Sequence, residues 1–291
     1  MLKEVVELAN GIKMNVKYNK KDKPTILFLH FGSGNLHMWK GVIPHFKDNY
    51  QVILPDFRGH GQTSKPEKGY HIEDMAEDIE LLLEELNVDK YYIVGSSLGA
   101  EVATVLTSQN PKKVKAIVNE GALYNEFGKY GLQDGGEAEI EEKIQDKLKD
   151  IEKRKEESYE TREEYIETQF RFFQRASLWN EYFAHYIKNN VCQNGEGRYT
   201  SCYPIHVSKQ YMKKYYRFQF DKYYKKIKCP ILFLPSKSEW ENEKIKQSVK
   251  EFGKMAGSYE IKILPGFAHA YGWMKMPTQV SKVVLDFIQK H

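Results

Sequence analysis

The chain has 291 residues, enough for one large domain or for a domain that carries an insertion. Its 44 Lys and Arg residues nearly balance its 40 Asp and Glu residues, so the overall charge does not indicate a nucleic-acid partner. No segment approaches the run of about 20 apolar residues that a membrane span needs, and Met1–Glu4 does not begin the apolar run of a signal peptide. We therefore expect a cytoplasmic protein with no nucleic-acid and no membrane partner.

The first part of the chain alternates predicted strands with predicted helices. Two segments of alternating polarity flank Asn10-Gly11, a residue pair that favours a tight hairpin turn. Continuous apolar runs follow, and these are typical of parallel strands that are buried on both faces. Together they predict an α/β fold with a mostly parallel central sheet and an N-terminal antiparallel hairpin. The predicted buried strands are 25–30, 51–55, 91–94 and 114–119, and the predicted helices are 38–46, 72–86 and 101–109.

The pattern changes between residues 123 and 227, where apolar strands disappear and charged and aromatic residues dominate. We predict that 123–227 is a helical cap, or lid, inserted into a core formed by 1–122 and 228–291. One predicted cap helix has a narrow apolar stripe of fewer than three heptads, which favours docking on the domain below over self-association. Strands at 230–234 and 259–264, with helices at 243–255 and 278–291, resume the alternation.

The cysteines carry little functional information. Cys192, Cys202 and Cys229 have no metal-ligand spacing, and three cysteines cannot all pair. A bridge between Cys192 and Cys202 is feasible, but a reduced cytoplasm is the favoured interpretation. The histidines also lack ligand spacing, so we expect no metal.

A candidate nucleophile lies where a predicted strand turns into a predicted helix. The segment Gly95-Ser96-Ser97-Leu98-Gly99 has the spacing Gly-x-Ser-x-Gly, in which the glycines permit the crowded backbone of a sharp turn. Ser97 would sit at that turn, above the positive end of the helix. A serine hydroxyl needs a base to take its proton, and the base needs an acid to orient it.

Two later loops offer the base and the acid. His269 follows the last predicted strand, and Glu239 lies five residues beyond the strand 230–234. Loops after the carboxyl ends of parallel strands gather at one edge of the sheet, so we expect these side chains to meet Ser97. The chain order Ser, acid, His is that of the α/β-hydrolase fold.

Four motifs, in this order and at suitable spacings, extend the comparison beyond the nucleophile. The motifs are His30-x-Gly32-x-Gly34 with Trp39, Asp56-x-Arg58-Gly59-x-Gly61-x-x-Ser64, Gly95-x-Ser97-x-Gly99 and Gly266-x-x-His269. Through them the chain resembles the α/β-hydrolase superfamily in its lid-bearing, esterase-like branch, and the resemblance covers about 3–122 and 228–291.

The resemblance implies an oxyanion hole made by the backbone N–H groups of Leu98 and Gly32. Loss of one such donor usually lowers the rate by a factor of about 10²–10³. The resemblance also implies that His30 and His60 support loops and that no cofactor is needed.

The chain departs from the family pattern at two places. Phe31 stands where the family normally has Gly, so a side chain there reshapes the oxyanion loop or crowds the acyl pocket. The usual Gly-x-x-Asp is replaced by Ser236-Lys237-Ser238-Glu239. Glu120, just past the strand that ends at Asn119, is an alternative acid because some family members place the acid there.

These features predict a carboxylesterase-like serine hydrolase that acts on a small-molecule acyl substrate through an acyl-enzyme on Ser97. An amide or C–C bond hydrolase with the same triad is an alternative, although the Gly-Pro-Gly loop usual for those enzymes is absent. Phe31 alone favours a third reading, a non-catalytic ligand sensor on this fold. The serine nucleophile argues against dehalogenase or epoxide hydrolase chemistry, which needs a carboxylate there. The substrate's acyl and alcohol portions, and the choice between monomer and homodimer, stay open.

Overall fold

The structure is a computed structural model that describes residues 1–291. Eight of its strands form one sheet in the order β1-β2-β4-β3-β5-β6-β11-β12, numbered along the chain. These strands are Leu2–Glu7 (β1), Lys13–Tyr18 (β2), Thr25–Leu29 (β3), Gln51–Pro55 (β4), Tyr91–Ser96 (β5), Val114–Glu120 (β6), Ile231–Phe233 (β11) and Tyr259–Ile261 (β12).

The sheet confirms the predicted fold class. β1 pairs antiparallel with β2, and β2 pairs antiparallel with β4. All other neighbours in the sheet are parallel. The carboxyl ends of β3, β5, β6, β11 and β12 therefore lie at the same edge, where the loops that carry the predicted site residues begin.

Helices cover both faces of this sheet. Six belong to the core: Ile72–Glu85 (α1), Leu98–Gln109 (α2), Lys237–Glu241 (α8), Glu243–Ala256 (α9), Gly272–Lys275 (α10) and Pro277–Ile288 (α11). All five residues of β3 are buried, as its continuous apolar run predicts. Leu27 and Leu29 pack in the apolar cluster that holds the α1 and α2 side chains, whereas Ile26 and Phe28 pack in the one that holds α11.

The helix predicted at 38–46 is wrong in type. The chain instead forms two short 3₁₀ segments, Leu36–Gly41 and Ile43–His45. Pro44 lacks a backbone N–H and restricts the residue before it, which disfavours a continuous α-helix here.

The segment 123–227, which the sequence predicts to be an insertion, contains five helices and also two small sheets that the sequence did not predict. The narrow apolar stripe that the sequence predicts for one cap helix lies on α3. It packs mainly against Phe127 and Tyr216, which are both within 123–227. Docking of that stripe on the core was therefore a wrong expectation. The elements are Asn125–Phe127 (β7), Gly131–Gln133 (β8), Glu137–Glu152 (α3), Arg162–Arg175 (α4), Glu181–Lys188 (α5), Val191–Gln193 (β9), Tyr199–Ser201 (β10), Ile205–Tyr215 (α6) and Asp221–Tyr224 (α7).

A disulfide joins Cys192 to Cys202, in contrast to the expectation of free thiols. Antiparallel pairing of β9 with β10 sets Cys192 opposite Thr200, which brings the two cysteine Cα atoms to 5.1 Å. Cys229 is free and buried. None of the helices has the length and apolar character to cross a membrane.

Candidate active site

Ser97 occupies a sharp turn between β5 and α2. Its φ is +50° and its ψ is −115°, a conformation that residues with a side chain rarely adopt. The flanking glycines leave room for this turn. A Cβ on Gly95 would lie 2.6 Å from the Ala100 nitrogen, and one on Gly99 would lie 2.1 Å from the Leu29 carbonyl oxygen. The turn therefore requires glycine at both positions, and it presents Ser97 at the carboxyl edge of the sheet.

His269 lies beside Ser97, in the loop between β12 and α10. Its Nε2 atom is 3.1 Å from Ser97 Oγ, within hydrogen-bond distance. The side chain of His269 is 43% exposed, so solvent reaches this pair in the present conformation. The structure thus brings the predicted nucleophile and base together.

Two carboxylates, rather than one, face the other nitrogen of His269. Nδ1 lies 2.9 Å from Glu120 Oε1 and 3.0 Å from Glu239 Oε1. The sequence presented these two residues as alternatives for the acid. The structure places both against the same imidazole nitrogen, at nearly the same distance.

Glu120 is held as an acceptor by its surroundings. It ends β6, and its side chain is fully buried. Oε1 accepts a hydrogen bond from the Ala270 N–H (2.9 Å), and Oε2 accepts from Ser96 Oγ (2.6 Å) and from Trp273 Nε1 (3.1 Å). Three donors therefore fix the orientation of this carboxyl.

Glu239 is held by the first turn of α8. Its Oε2 accepts hydrogen bonds from the Ser236 N–H (2.8 Å) and from Ser236 Oγ (2.7 Å), in a capping box that leaves Oε1 facing His269. Burial raises the pKa of Glu239, but bonding and attraction to His269, together with the Ser236 donors, outweigh burial and lower it.

The same charges act on the histidine. Burial lowers the pKa of His269, but the carboxylates of Glu120 and Glu239 outweigh burial and raise this pKa well above its ordinary value. An imidazolium between two carboxylates is therefore a stable state of this site.

The two expected oxyanion donors are neighbours. A Cβ on Gly32 would lie 3.7 Å from the Leu98 Cβ, so the loop after β3 touches the first turn of α2. Leu98 is the first residue of α2, and its amide therefore has no acceptor within the helix. The Gly32 amide donates no hydrogen bond within the chain. Both amides are thus available near Ser97.

His30 fixes the loop that carries Gly32. It is fully buried, its Nδ1 is 2.8 Å from the Phe31 carbonyl oxygen, and its Nε2 accepts from the Phe57 N–H at 3.0 Å. The unexpected Phe31 side chain is buried, with its ring centroid 5.7 Å from those of Tyr186 and Tyr271. Its bulk is therefore accommodated by aromatic contacts, one of which comes from the insertion.

The motif that follows β4 is a supporting turn. Asp56 Oδ1 accepts a hydrogen bond from the Leu36 N–H (2.7 Å), and Arg58 makes two hydrogen bonds to the buried carboxylate of Asp78. His60 is buried and stacks on Tyr203, with ring centroids 4.4 Å apart. These contacts stabilise the loops around Ser97, and none of them involves Ser97 itself.

Sequence reasoning missed three participants. Ser96 and Trp273 donate to Glu120; Ser96 stands at a variable position of the nucleophile motif, and Trp273 follows His269 by four residues but belongs to no motif. Glu101 is the third: it is buried one turn after Ser97, and its signal was a lone charge among the apolar and small residues of α2. No group of three or more His, Cys, Asp or Glu side chains is arranged to hold a metal ion.

Known proteins share both the sequence pattern and the fold. A family model for the alpha/beta hydrolase fold matches residues 24–240. The 3-oxoadipate enol-lactonase 2 of Acinetobacter baylyi is 31% identical over 111 residues, which cover 38% of this chain and 42% of that protein. The 2-(acetamidomethylene)succinate hydrolase of Mesorhizobium japonicum is 34% identical over 107 residues, which cover 37% of this chain and 38% of that protein. The chain thus spans less than half the length of these relatives.

Solved structures extend the match to the whole chain. E-2-(acetamidomethylene)succinate hydrolase superimposes with a TM-score of 0.75 at 20% identity, over 99% of each chain. An esterase from Exiguobacterium antarcticum gives a TM-score of 0.71 at 13% identity, over 99% of this chain and 100% of that one. At these identities the likeness is one of fold.

Proposed function

The chain belongs to the alpha/beta hydrolase family, and from that premise we propose that it is a serine hydrolase that cleaves a small carboxylic ester or a related acyl substrate. One observation carries the proposal. Ser97 Oγ lies 3.1 Å from His269 Nε2, while the opposite nitrogen of the same ring faces the carboxyl groups of Glu120 and Glu239. A serine, a base and an orienting acid in this relation are the parts that acyl transfer requires.

The reaction begins with neutral His269. The carboxylates of Glu120 and Glu239 keep the ring proton on Nδ1, so that the lone pair of Nε2 faces Ser97. Ser97 Oγ attacks the substrate carbonyl as its proton passes to Nε2, and the N–H groups of Gly32 and Leu98 bind the oxyanion.

The second half uses the proton that His269 has gained. Nε2 delivers it to the leaving alcohol, and the acyl group stays on Ser97. Water then attacks this ester, with His269 again taking a proton and returning it to Ser97. The two carboxylates stabilise the imidazolium in both halves, and no cofactor enters the balance.

We also propose that the inserted segment 123–227 acts as the cap of this site. Tyr186 of α5 donates a hydrogen bond to the Ser33 carbonyl at 3.1 Å, and Asn190 Oδ1 accepts from Asn35 Nδ2 at 3.0 Å. The insertion is thus fastened to the oxyanion loop itself. Its movement would change access to Ser97 and the shape of the substrate pocket.

A fluorophosphonate probe tests the proposal directly. We expect one covalent adduct, which peptide mapping assigns to Ser97. The adduct should be absent from S97A and from heat-unfolded protein, because labelling requires the folded base. S258A is the matched control, since Ser258 is an exposed serine that precedes β12, at the opposite edge of the sheet from Ser97.

The opposite result has a clear meaning. Folded wild-type protein without an adduct would show that Ser97 is not activated, and the sensor interpretation would replace that of a hydrolase.

A further inference from the structure

Helix α2 carries a single charged side chain, Glu101. It follows Ser97 by four residues, about 6 Å along the helix, so both residues lie on the same helical face. Glu101 is only 6% exposed. A buried carboxyl beside the nucleophile is costly, whereas an apolar residue at this position would pack α2 without that cost.

The partners of Glu101 leave half of its carboxyl unused. Oε2 accepts a hydrogen bond from the hydroxyl of Tyr211, on α6 of the insertion, at 2.6 Å. Oε1 accepts no hydrogen bond within the chain, so one oxygen of this carboxyl has no partner. No Lys or Arg side chain pairs with this carboxylate.

Tyr211 is one of several tyrosines that lie near this carboxyl. Tyr211 stacks on Tyr215, with ring centroids 5.5 Å apart. Burial is the main cause of the raised pKa values of Tyr124, Tyr203, Tyr211 and Tyr215, and the charge of Glu101 adds to it in all four. Burial likewise raises the pKa of Glu101 to about 7, against the opposing effects of Tyr211 and His269. The carboxyl of Glu101 thus has no cationic partner, and tyrosines lie near it. It is also close enough to His269 for the charge of that histidine to act on its pKa.

We propose that Glu101 and the tyrosines around it bind a cationic group of the substrate, a primary or quaternary ammonium. A cation would supply the missing counter-charge, and aromatic faces attract cations in the same way. The inference rests on the proposed serine hydrolase function and gives its substrate class: a positively charged ester whose carbonyl reaches Ser97 while its cation lies over the next turn of α2.

The test compares two esters of the same shape and different charge. The acetate esters of choline and of 3,3-dimethylbutanol differ only in the quaternary nitrogen. We expect kcat/KM to favour the choline ester by about tenfold or more in the wild type, and E101Q to bring this ratio close to one. E126Q is the matched control, because the charge of Glu126 also raises the pKa of Tyr215 but Glu126 already forms an ion pair with Lys147. Its ratio should equal that of the wild type.

A binding measurement separates this inference from the hydrolase proposal. S97A, which cannot form an acyl-enzyme, is titrated with tetramethylammonium by calorimetry, and S97A/E101Q is titrated alongside. Binding to S97A that S97A/E101Q loses supports the subsite even if no ester is cleaved. Hydrolysis through Ser97 without preference for the cationic ester would overturn the subsite and leave the hydrolase intact. A loss in E101Q that is equal for both esters would overturn it too, since that is the effect of a merely structural anchor.

Discussion

Replacement of Glu120 or Glu239 by Gln removes one of the two charges at His269 Nδ1 and preserves side-chain size. The carboxylate oxygens lie 2.9 and 3.0 Å from Nδ1. At that distance the interaction of two unit charges is worth ~1–5 kcal/mol, between bulk water and a protein surface. Because the His269 side chain is 43% exposed, we place this interaction energy near the lower end of the range, which corresponds to a change of about one unit in the pKa of His269.

Burial ranks the two variants. The Glu120 side chain is 0% exposed and that of Glu239 is 14% exposed, so solvent screens the charge of Glu239 more. We expect E120Q to lower the apparent pKa of His269 in the pH profile of kcat/KM by about one unit or more, and E239Q to lower it by less. Because the base works when it has lost its proton, the acid limb of each profile moves to lower pH.

The limiting value of kcat/KM should fall in these variants, even though the acid limb of the profile moves to lower pH. Each single variant is expected to lose about 10- to 100-fold in limiting kcat/KM, because one carboxylate still orients the ring. The double variant should approach the loss of about 10⁴ that follows removal of the only acid of a triad. E241Q is the control, since Glu241 lies in the same short helix and pairs only with Lys237.

The assay is hydrolysis of p-nitrophenyl acetate between about pH 5 and 10. A full loss in one single variant, with no loss and no pKa change in the other, would refute the shared role and leave an ordinary triad with one acid.

Three further outcomes test the frame around the site. D78N should lower the free energy of unfolding by about 3–5 kcal/mol in chemical denaturation, because it leaves the buried Arg58 guanidinium without its charge partner; a loss below about 1 kcal/mol would contradict this. G61A should lower both Tm and kcat/KM, since its Cβ would lie 2.1 Å from Asp56 Oδ2 in a backbone of φ +50°; an unchanged Tm would show that the turn adapts. Burial and a neighbouring histidine lower the pKa of His37 to about 4, so stability should fall as pH drops from 6.5 towards 4, and H37Q should flatten that part of the Tm profile.

Much of the architecture could be predicted because its signals are local. The apolar run of β3 indicates a strand buried on both faces, and the structure buries all five of its residues. Gly95 and Gly99 indicate a crowded turn, and both approach neighbouring backbone too closely for any Cβ. In each case one short stretch of sequence carries enough physical constraint to decide its own conformation.

Two of the errors concern packing or pairing partners that a local sequence pattern does not identify. The apolar stripe of α3 was clear in the sequence, but periodicity could not identify its packing partner. The structure shows that the stripe packs against Tyr216, within the same segment 123–227, and not against the core. The pairing of Cys192 with Cys202 likewise depends on the register of two three-residue strands that are too short to leave a pattern. Periodicity shows which face of an element is buried, but not what buries it.

The acid is the sharpest case of this limit. Reasoning from strand ends could name Glu120 and Glu239, because both follow strands that end at the same edge, but it treated them as rivals for one position. The distances to Nδ1 depend on Ser236, which turns Glu239 inward, and on the three donors that hold the buried Glu120 carboxyl in place. Such a site favours the imidazolium more than a single acid would, so the acid limb of kcat/KM should lie above the ordinary histidine pKa of about 6.5. If the wild-type acid limb lay instead at that ordinary pKa, the two carboxyl groups would not both act on His269, and the variant whose profile matches the wild type would identify the one that does not.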